Sequence, residues 1–163
     1  MLLFEKDFNH YKPEKIIGVL CRMASKISND YICDLISHEE NYIIFYSIDN
    51  IVNIYNCPSG LIYKTEKVGD SVNVYILFIA TTYRFRKVGY ASLFIKEFMS
   101  FIRTKFASEE VRSIKIILDS IIEAVSFYEH IGFKWVKTNQ YNEHLNIPEK
   151  STEEHFVMVY EMN

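Results

Sequence analysis

Glycine and proline are scarce, five and three in 163 residues, a composition that excludes disorder and low complexity. Cysteine is limited to Cys21, Cys33 and Cys57. That odd number, without metal-type spacing, indicates neither a disulfide framework nor a metal site and fits a reducing compartment. No apolar run approaches the roughly 18 residues of a membrane span, and "MLLFEKDFNHYKPEK" turns acidic directly after a very short apolar start. The sequence therefore reads as soluble and cytoplasmic, with no membrane partner. It has no block of five or more basic residues and a formal charge of only −3, so the overall field advertises no nucleic-acid partner either. Any positive site is local.

What is present is apolar and aromatic: 49% of the residues are hydrophobic, with twelve Tyr and twelve Phe. A chain of this size buries roughly two thirds of its unfolded surface, so a single domain over residues 1–163 is expected. Tyr11 to Met23 and Asp30 to Ser37 carry apolar residues at mixed three- and four-residue steps, with Pro13 suited to a first turn and Ser28-Asn29-Asp30 to a break and cap. They predict two short helices. "NYIIFYSIDNIVNIYNC" is β-branched and aromatic, with Asp49-Asn50 where a two-residue hairpin turn would go, and Cys57-Pro58-Ser59-Gly60 is a second turn signal. Two further strands hinge at Val68-Gly69-Asp70, so Tyr42 to Thr81 reads as an antiparallel meander whose last strand is the most apolar and central.

A helix follows from Gly89 to Phe106, with a wide apolar face and a narrow polar stripe at Ser92, Lys96, Ser100 and Arg103. "SIKIILDS" is a short continuous apolar run, as expected of a buried strand parallel to its predecessor. "IIEAVSFYEHIGF" is a helix ended by Gly132, Phe133 to Val136 and Phe156 to Met162 are closing strands, and "NQYNEHLNIPEKSTEE" is a polar connection with a mobile look. The final strand, rich in Val, Met and Tyr, would be able to pair across a homodimer.

In sheets with parallel strands, ligands lie beyond the strands' C-terminal ends, where helix N-termini present unpaired N–H groups. Thr81 and Asp119 mark two such ends. "RKVGYA", Arg86 to Ala91, combines two cations, a permissive glycine and a helix start, a composition that suits phosphate or pyrophosphate. It is neither a Walker loop nor a dinucleotide fingerprint, which need further glycines. The bland alternative is a turn eased by Gly89 with solvated charges around it.

"RKVGYA" has the form Arg/Gln-x-x-Gly-x-Gly/Ala, and "EAVSFYEHIGF", some thirty residues on, resembles the Ala-x-x-Phe-Tyr-Glu-x-x-Gly-Phe helix of the GNAT N-acetyltransferase superfamily. The likeness runs from Tyr42 to the C-terminus. It implies a mixed α+β fold, a mostly antiparallel twisted sheet of six to seven strands with one parallel pair, flanked by about four helices. It also implies acetyl-CoA as co-substrate, without a metal, and an amine acceptor, either a small polyamine-like amine or a protein lysine or N-terminus. Arg86, Lys87, Val88, Gly89, Tyr90 and Ala91, with Ser92 next, would wrap the pyrophosphate. Ile79, Ala80 and Thr81 would bond the pantetheine arm as if it were a strand, and one N–H there would polarise the acetyl carbonyl. Two residues more than the usual spacing separate that strand from the loop, which suggests a bulge.

Tyr128 matches the family tyrosine that protonates the departing thiolate; the alternative is a core tyrosine. For the base, Asp119 is preferred and Glu123 second. Against both stands helix capping, with Asp119-Ser120 as an N-cap pair and Ser120 with Glu123 as a capping box, the more ordinary reading. His130 and His144 read as surface and loop residues and Trp135 as packing. Ile121 stands where the family often has Asn, which keeps open a non-catalytic acyl-CoA-binding sensor with the same fold. Acceptor specificity falls to segments without a motif. Among them the acidic residues Glu143, Glu149, Glu153 and Glu154 would favour a cationic acceptor.

Overall fold

The computed structural model of the protein describes residues 1–4, 13–24, 26–49, 51–53 and 55–162. They divide into two units, Met1–Tyr63 with Phe78–Ile102, and Lys64–Leu77 with Arg103–Asn163. Among the described residues there are seven strands: β1 (Leu2–Phe4), β2 (Tyr42–Tyr46), β3 (Ser59–Val68), β4 (Ser71–Thr81), β5 (Ser113–Ser120), β6 (Lys134–Trp135) and β7 (Phe156–Met162). The helices are α1 (Pro13–Met23), α2 (Asn29–Ser37), α3 (Tyr90–Phe106) and α4 (Val125–Ile131). The strands hydrogen-bond in the order β1-β2-β3-β4-β5-β7-β6. β4 and β5 form the parallel pair, Ser71 to Ile76 against Ser113 to Leu118. β3 and β4 are joined by the two-residue turn Gly69-Asp70, a connection only antiparallel neighbours allow. The mixed architecture expected from the sequence is present, with β4 in the middle.

In the first unit, β1, β2 and β3 pair antiparallel. Leu20 and Met23 of α1, Ile32 and Leu35 of α2, and Phe45 and Leu61 of the strands are all buried. α3 presents Phe94, Ile95, Phe98, Met99 and Ile102 as its buried face, spaced three and four apart as one side of a helix requires. Phe98 packs edge-on against Tyr63 and Phe94 against Tyr46, at centroid separations of 5.1 and 6.1 Å. Tyr11 and Lys12 of the expected first helix lie outside the described residues.

Three expectations are corrected here. The hairpin at Asp49-Asn50 would need a strand after it, and none occurs among the described residues between Tyr46 and Ser59; Asn50 itself lies outside them. Local side-chain bonds take the backbone instead. Ser47 Oγ donates to the Ile51 carbonyl and accepts its N–H, and Asn53 Oδ1 accepts the N–H groups of Tyr55 and Asn56 at 2.8 and 2.9 Å. Such bonds compete with strand ladders. Gly60 does not turn the chain but sits in β3 opposite Phe45, where a Cβ would lie 3.0 Å from the Phe45 ring. Ser28 occupies the N-cap position of α2 without a side-chain cap bond.

In the second unit, β5 pairs with β7 from Ile114–Met162 to Ser120–Phe156, and β6 pairs with β7 at Lys134–Val159 and Trp135–Met158. β7 thus has β5 along one side and β6 beside Met158 and Val159 on the other. The polar connection after β6 is not a loose loop: its Tyr141, Leu145 and Ile147 are buried with Tyr75, Ile117, Val157 and Val159. Three apolar residues among many polar ones were enough to tie it down.

Candidate active site

The C-terminal end of β4 belongs to the first unit. The parallel pairing of β4 stops at Ile76, yet the strand continues to Thr81, so Ile79, Ala80 and Thr81 extend past the ladder with β5. Thr81 is tied to Ser59 through their hydroxyls at 2.8 Å. Thr82 is buried, donating its N–H to the Pro58 carbonyl and its hydroxyl to that of Cys57. Residues Tyr83–Phe85 then make a 3-10 turn. This turn, closed by Phe85 N–H to Thr82 O and Arg86 N–H to Tyr83 O, accommodates the additional residues for which a bulge was expected.

The loop that follows is exposed from Arg86 to Gly89. Arg86 Nε donates to the Thr81 carbonyl at 3.0 Å, and its guanidinium lies over the Tyr83 ring. The side chain thus braces the loop against the strand end. Arg84 lies over Phe85. Lys87 has φ of +64° and Gly89 +91°. The first is rare for a residue with a Cβ, a strain that clusters at functional sites. A Cβ on Gly89 would meet nothing within 4 Å, so glycine is required there by conformation, not by crowding. Leu93 N–H to Gly89 O is the first bond of α3, and helix geometry leaves Tyr90, Ala91 and Ser92 without intrahelical acceptors for their N–H groups. An exposed loop with two left-handed turns therefore delivers the chain to a positive helix end.

In the second unit Asp119 is not a cap. The residue before the 3-10 turn Ile122–Ala124 is Ile121, no side chain caps that turn, and Ser120 Oγ donates to the Ile121 carbonyl. The capping box is not formed, because the chain makes a 3-10 turn before α4 begins and Asp119 remains in β5. Its Oδ1 accepts the Phe156 N–H at 3.1 Å, and its Oδ2 lies 2.6 Å from Nδ1 of His155. Glu123 is exposed on the 3-10 turn.

Tyr128 is 7% exposed, edge-on to Phe127 and Phe133, and burial pushes its phenol up to about 12. Its carbonyl accepts the N–H groups of Gly132 and Phe133, the closing bonds of a helix that ends at a glycine with φ of +122°. Tyr128 is thus both a packed core residue and a phenol that keeps its proton at neutral pH.

No protein-family model matches the sequence, and no curated protein matches it. Solved structures do match. Tetrahymena Gcn5 aligns with a TM-score of 0.63 at 12% identity, over 92% of this chain and 86% of that one. Arabidopsis thaliana Naa50, in complex with the bisubstrate analogue CoA-Ac-MVNAL, aligns at 0.57 and 16% identity, over 91% and 93%. A GNAT-family protein from Desulfovibrio desulfuricans aligns at 0.61 and 12% identity, over 99% and 97%. The fold is that of the GNAT acetyltransferases.

The segment from β6 to β7 carries side chains that no sequence motif marks. His155 was not singled out. It bonds Asp119 through Nδ1 and Ser151 through Nε2, the latter at 2.8 Å. The only sequence signal was a histidine directly before an apolar strand, too weak to select. His144 is not a free loop residue: it stacks on Tyr75 with ring planes 14° apart and pairs with Glu66 at 2.8 Å. Trp135 packs on Phe156, has the Lys137 ammonium over its ring, and is among the residues lining a cavity of about 280 Å³. A larger cavity of about 500 Å³ is lined by Lys115, Lys134, Gln140 and Tyr141 among others. Among the described residues no helix is long and apolar enough to cross a membrane, and no group of three His, Cys, Asp or Glu could hold a metal ion.

Proposed function

We propose that the protein is an acetyl-CoA-dependent N-acetyltransferase in which an acceptor amine attacks the thioester directly. The observation that carries this reading is the end of β4 with the loop after it. A strand continues past its parallel partner and is followed by two left-handed residues and an open helix N-terminus. This suits a ligand with an extended amide arm and a pyrophosphate. Naa50, which shares the fold, is a complex with a CoA-containing analogue.

In this reading Lys87, Val88, Gly89, Tyr90, Ala91 and Ser92 hold the pyrophosphate, largely through backbone N–H groups and the helix dipole. Arg86 braces the loop and adds its charge. Ile79, Ala80 and Thr81 bond the pantetheine arm, and an N–H among them polarises the acetyl carbonyl. Attack by the amine forms a tetrahedral centre; the oxyanion's electron pair then returns and the C–S bond breaks. Tyr128 meets the departing sulfur. A phenol at about 12 is always protonated at neutral pH but is a weaker acid than a thiol near 8.5, so it stabilises the thiolate chiefly as a hydrogen-bond donor.

The acceptor is assigned as a primary amine, of a small cation or of a protein lysine or N-terminus. The test is incubation with acetyl-CoA and a panel of such amines, reading free thiol. The expected result is release that depends on the acceptor. Saturable acetyl-CoA binding without release on any acceptor would assign the chain instead as an acyl-CoA sensor.

A further inference from the structure

The 3-10 turn Tyr83–Phe85 carries two aromatic side chains in opposite situations. Phe85 packs edge-on against Tyr90 of α3, at a centroid separation of 5.4 Å. Tyr83 is 82% exposed, the most exposed large apolar side chain among the described residues. Its backbone is nonetheless held. The buried Thr82 before it bonds the Pro58 and Cys57 carbonyls, and the Tyr83 carbonyl accepts the Arg86 N–H at 3.1 Å. The Arg86 guanidinium lies over the Tyr83 ring, 5.6 Å from its centroid, while its Nε bonds the Thr81 carbonyl. One face of the ring is thus covered and the other stands in water. A fixed aromatic ring with an open face is a preorganised surface for a second flat ring. All these residues belong to the first unit.

The charges beside the ring point to the ligand. Arg84, Arg86 and Lys87 make no ion pair among the described residues, whereas Lys67, Arg112 and Lys115 are paired with Glu109, Asp70 and Glu161. Unneutralised cations so close together in one turn and loop attract a polyanion. A flat ring joined to phosphates describes a purine nucleotide, and acetyl-CoA ends in one. We infer that Tyr83, backed by Arg86, is the platform on which the adenine ring of acetyl-CoA stacks. The inference rests on the acetyl-CoA reading, which places the pyrophosphate in the loop directly after this turn. Only a ribose separates the base from the pyrophosphate, and Arg86, which adds its charge to the phosphates in that reading, lies against the ring. Stacking on an aromatic face tolerates any base, so Tyr83 contributes affinity for the nucleotide and not a choice among bases. The chain thereby favours the nucleotide thioester over the same acetylated phosphopantetheine arm without adenosine.

The experiment is titration calorimetry of the full chain with acetyl-CoA and with acetyl-4′-phosphopantetheine, which carries the same acetyl arm without adenosine. Tyr83→Ala removes the ring and Tyr83→Phe keeps it. Losing one base–aromatic stack corresponds to at least about fivefold in affinity. Tyr83→Ala is expected to lose that factor for acetyl-CoA and nothing for acetyl-4′-phosphopantetheine, while Tyr83→Phe binds both as the parent does. In the parent saturated with acetyl-CoA, nuclear Overhauser contacts are expected between the adenine and Tyr83 ring protons. An unchanged acetyl-CoA affinity in Tyr83→Ala would overturn the inference, as would a saturated complex without those contacts. Equal losses on both ligands would mean that the side chain only shapes the loop, and would overturn it too. A parent chain that does not bind acetyl-CoA would overturn the acetyl-CoA reading itself, whereas saturable binding indifferent to Tyr83 overturns this inference alone.

Discussion

Nδ1 of His155 and Oδ2 of Asp119 lie 2.6 Å apart: His155 directly precedes Phe156, the rung partner of Ser120, and Asp119 stands one rung further in, opposite Val157. The antiparallel register creates this pair: residues 36 apart in sequence meet because β5 and β7 run side by side. The register also puts the Phe156 N–H on the other oxygen of the same carboxylate. Asp119 therefore satisfies a strand end and orients an imidazole at once.

Asp119→Asn separates these two duties. The amide oxygen still accepts the Phe156 N–H, but the NH₂ group faces Nδ1 and offers a donor where an acceptor stood. The His155 proton is expected to move to Nε2, which NMR of the ring nitrogens reads directly. Urea unfolding at neutral pH should show a loss of about 1 kcal/mol. A ring still protonated on Nδ1 would contradict the assignment.

Gly89→Val tests the loop. With φ at +91° and open space around the missing Cβ, the penalty is conformational, about 1–2 kcal/mol. The loop escapes the strain by leaving its left-handed turn, so acetyl-CoA affinity should fall at least about tenfold, the factor that 1.4 kcal/mol represents. Equal calorimetric affinity in the variant and the parent would remove the pyrophosphate assignment from this loop.

Gly132→Ala combines two penalties. The residue has φ of +122°, and a Cβ would stand 2.9 Å from the Tyr160 ring. Strain and overpacking together should cost roughly 2–4 kcal/mol. Adding Tyr160→Ala should relieve the steric part and leave the conformational part, so a double-mutant cycle in urea is expected to show coupling. Strict additivity would mean that the ring moves aside at no cost.

Sequence periodicity carried most of this fold. The alternating and continuous apolar runs of β3, β4 and β5, the wide apolar face of α3 and the glycine stop of α4 are each backbone preferences set by neighbouring residues. The failures share a cause as well. After β2, Ser47 and Asn53 divert the backbone through side-chain bonds, and a β-branched composition does not reveal that competition. Gly60 reads as a turn residue but serves Phe45 on the neighbouring strand. At the site, the loop after β4 was legible because its residues are contiguous. Ser151, His155 and Asp119 were not, because only the β5–β7 register brings them together.

The burial of Tyr128 has a consequence for alkaline stability. Its folded value of about 12 exceeds the ordinary tyrosine value near 10, so the folded state binds the proton more tightly. The stabilisation is fully present below about pH 10 and is lost as pH rises through about 12. Tyr75, raised to about 12 chiefly by burial, acts in the same window. Tyr128→Phe should therefore flatten part of the fall in urea midpoint between pH 10 and 12, not all of it. The same variant should lower kcat more than it raises the apparent KM. An unchanged alkaline profile would mean that the phenol is solvated in the folded protein.

The central claim is that the end of β4 and the loop entering α3 hold acetyl-CoA, and titration calorimetry of the purified protein with acetyl-CoA tests it most directly. The account predicts saturable binding of one molecule per chain, with a dissociation constant of about 1 μM to 1 mM, the usual range for enzyme substrates, weakened by Gly89→Val. No saturable heat at millimolar acetyl-CoA, or binding indifferent to Gly89, would contradict it.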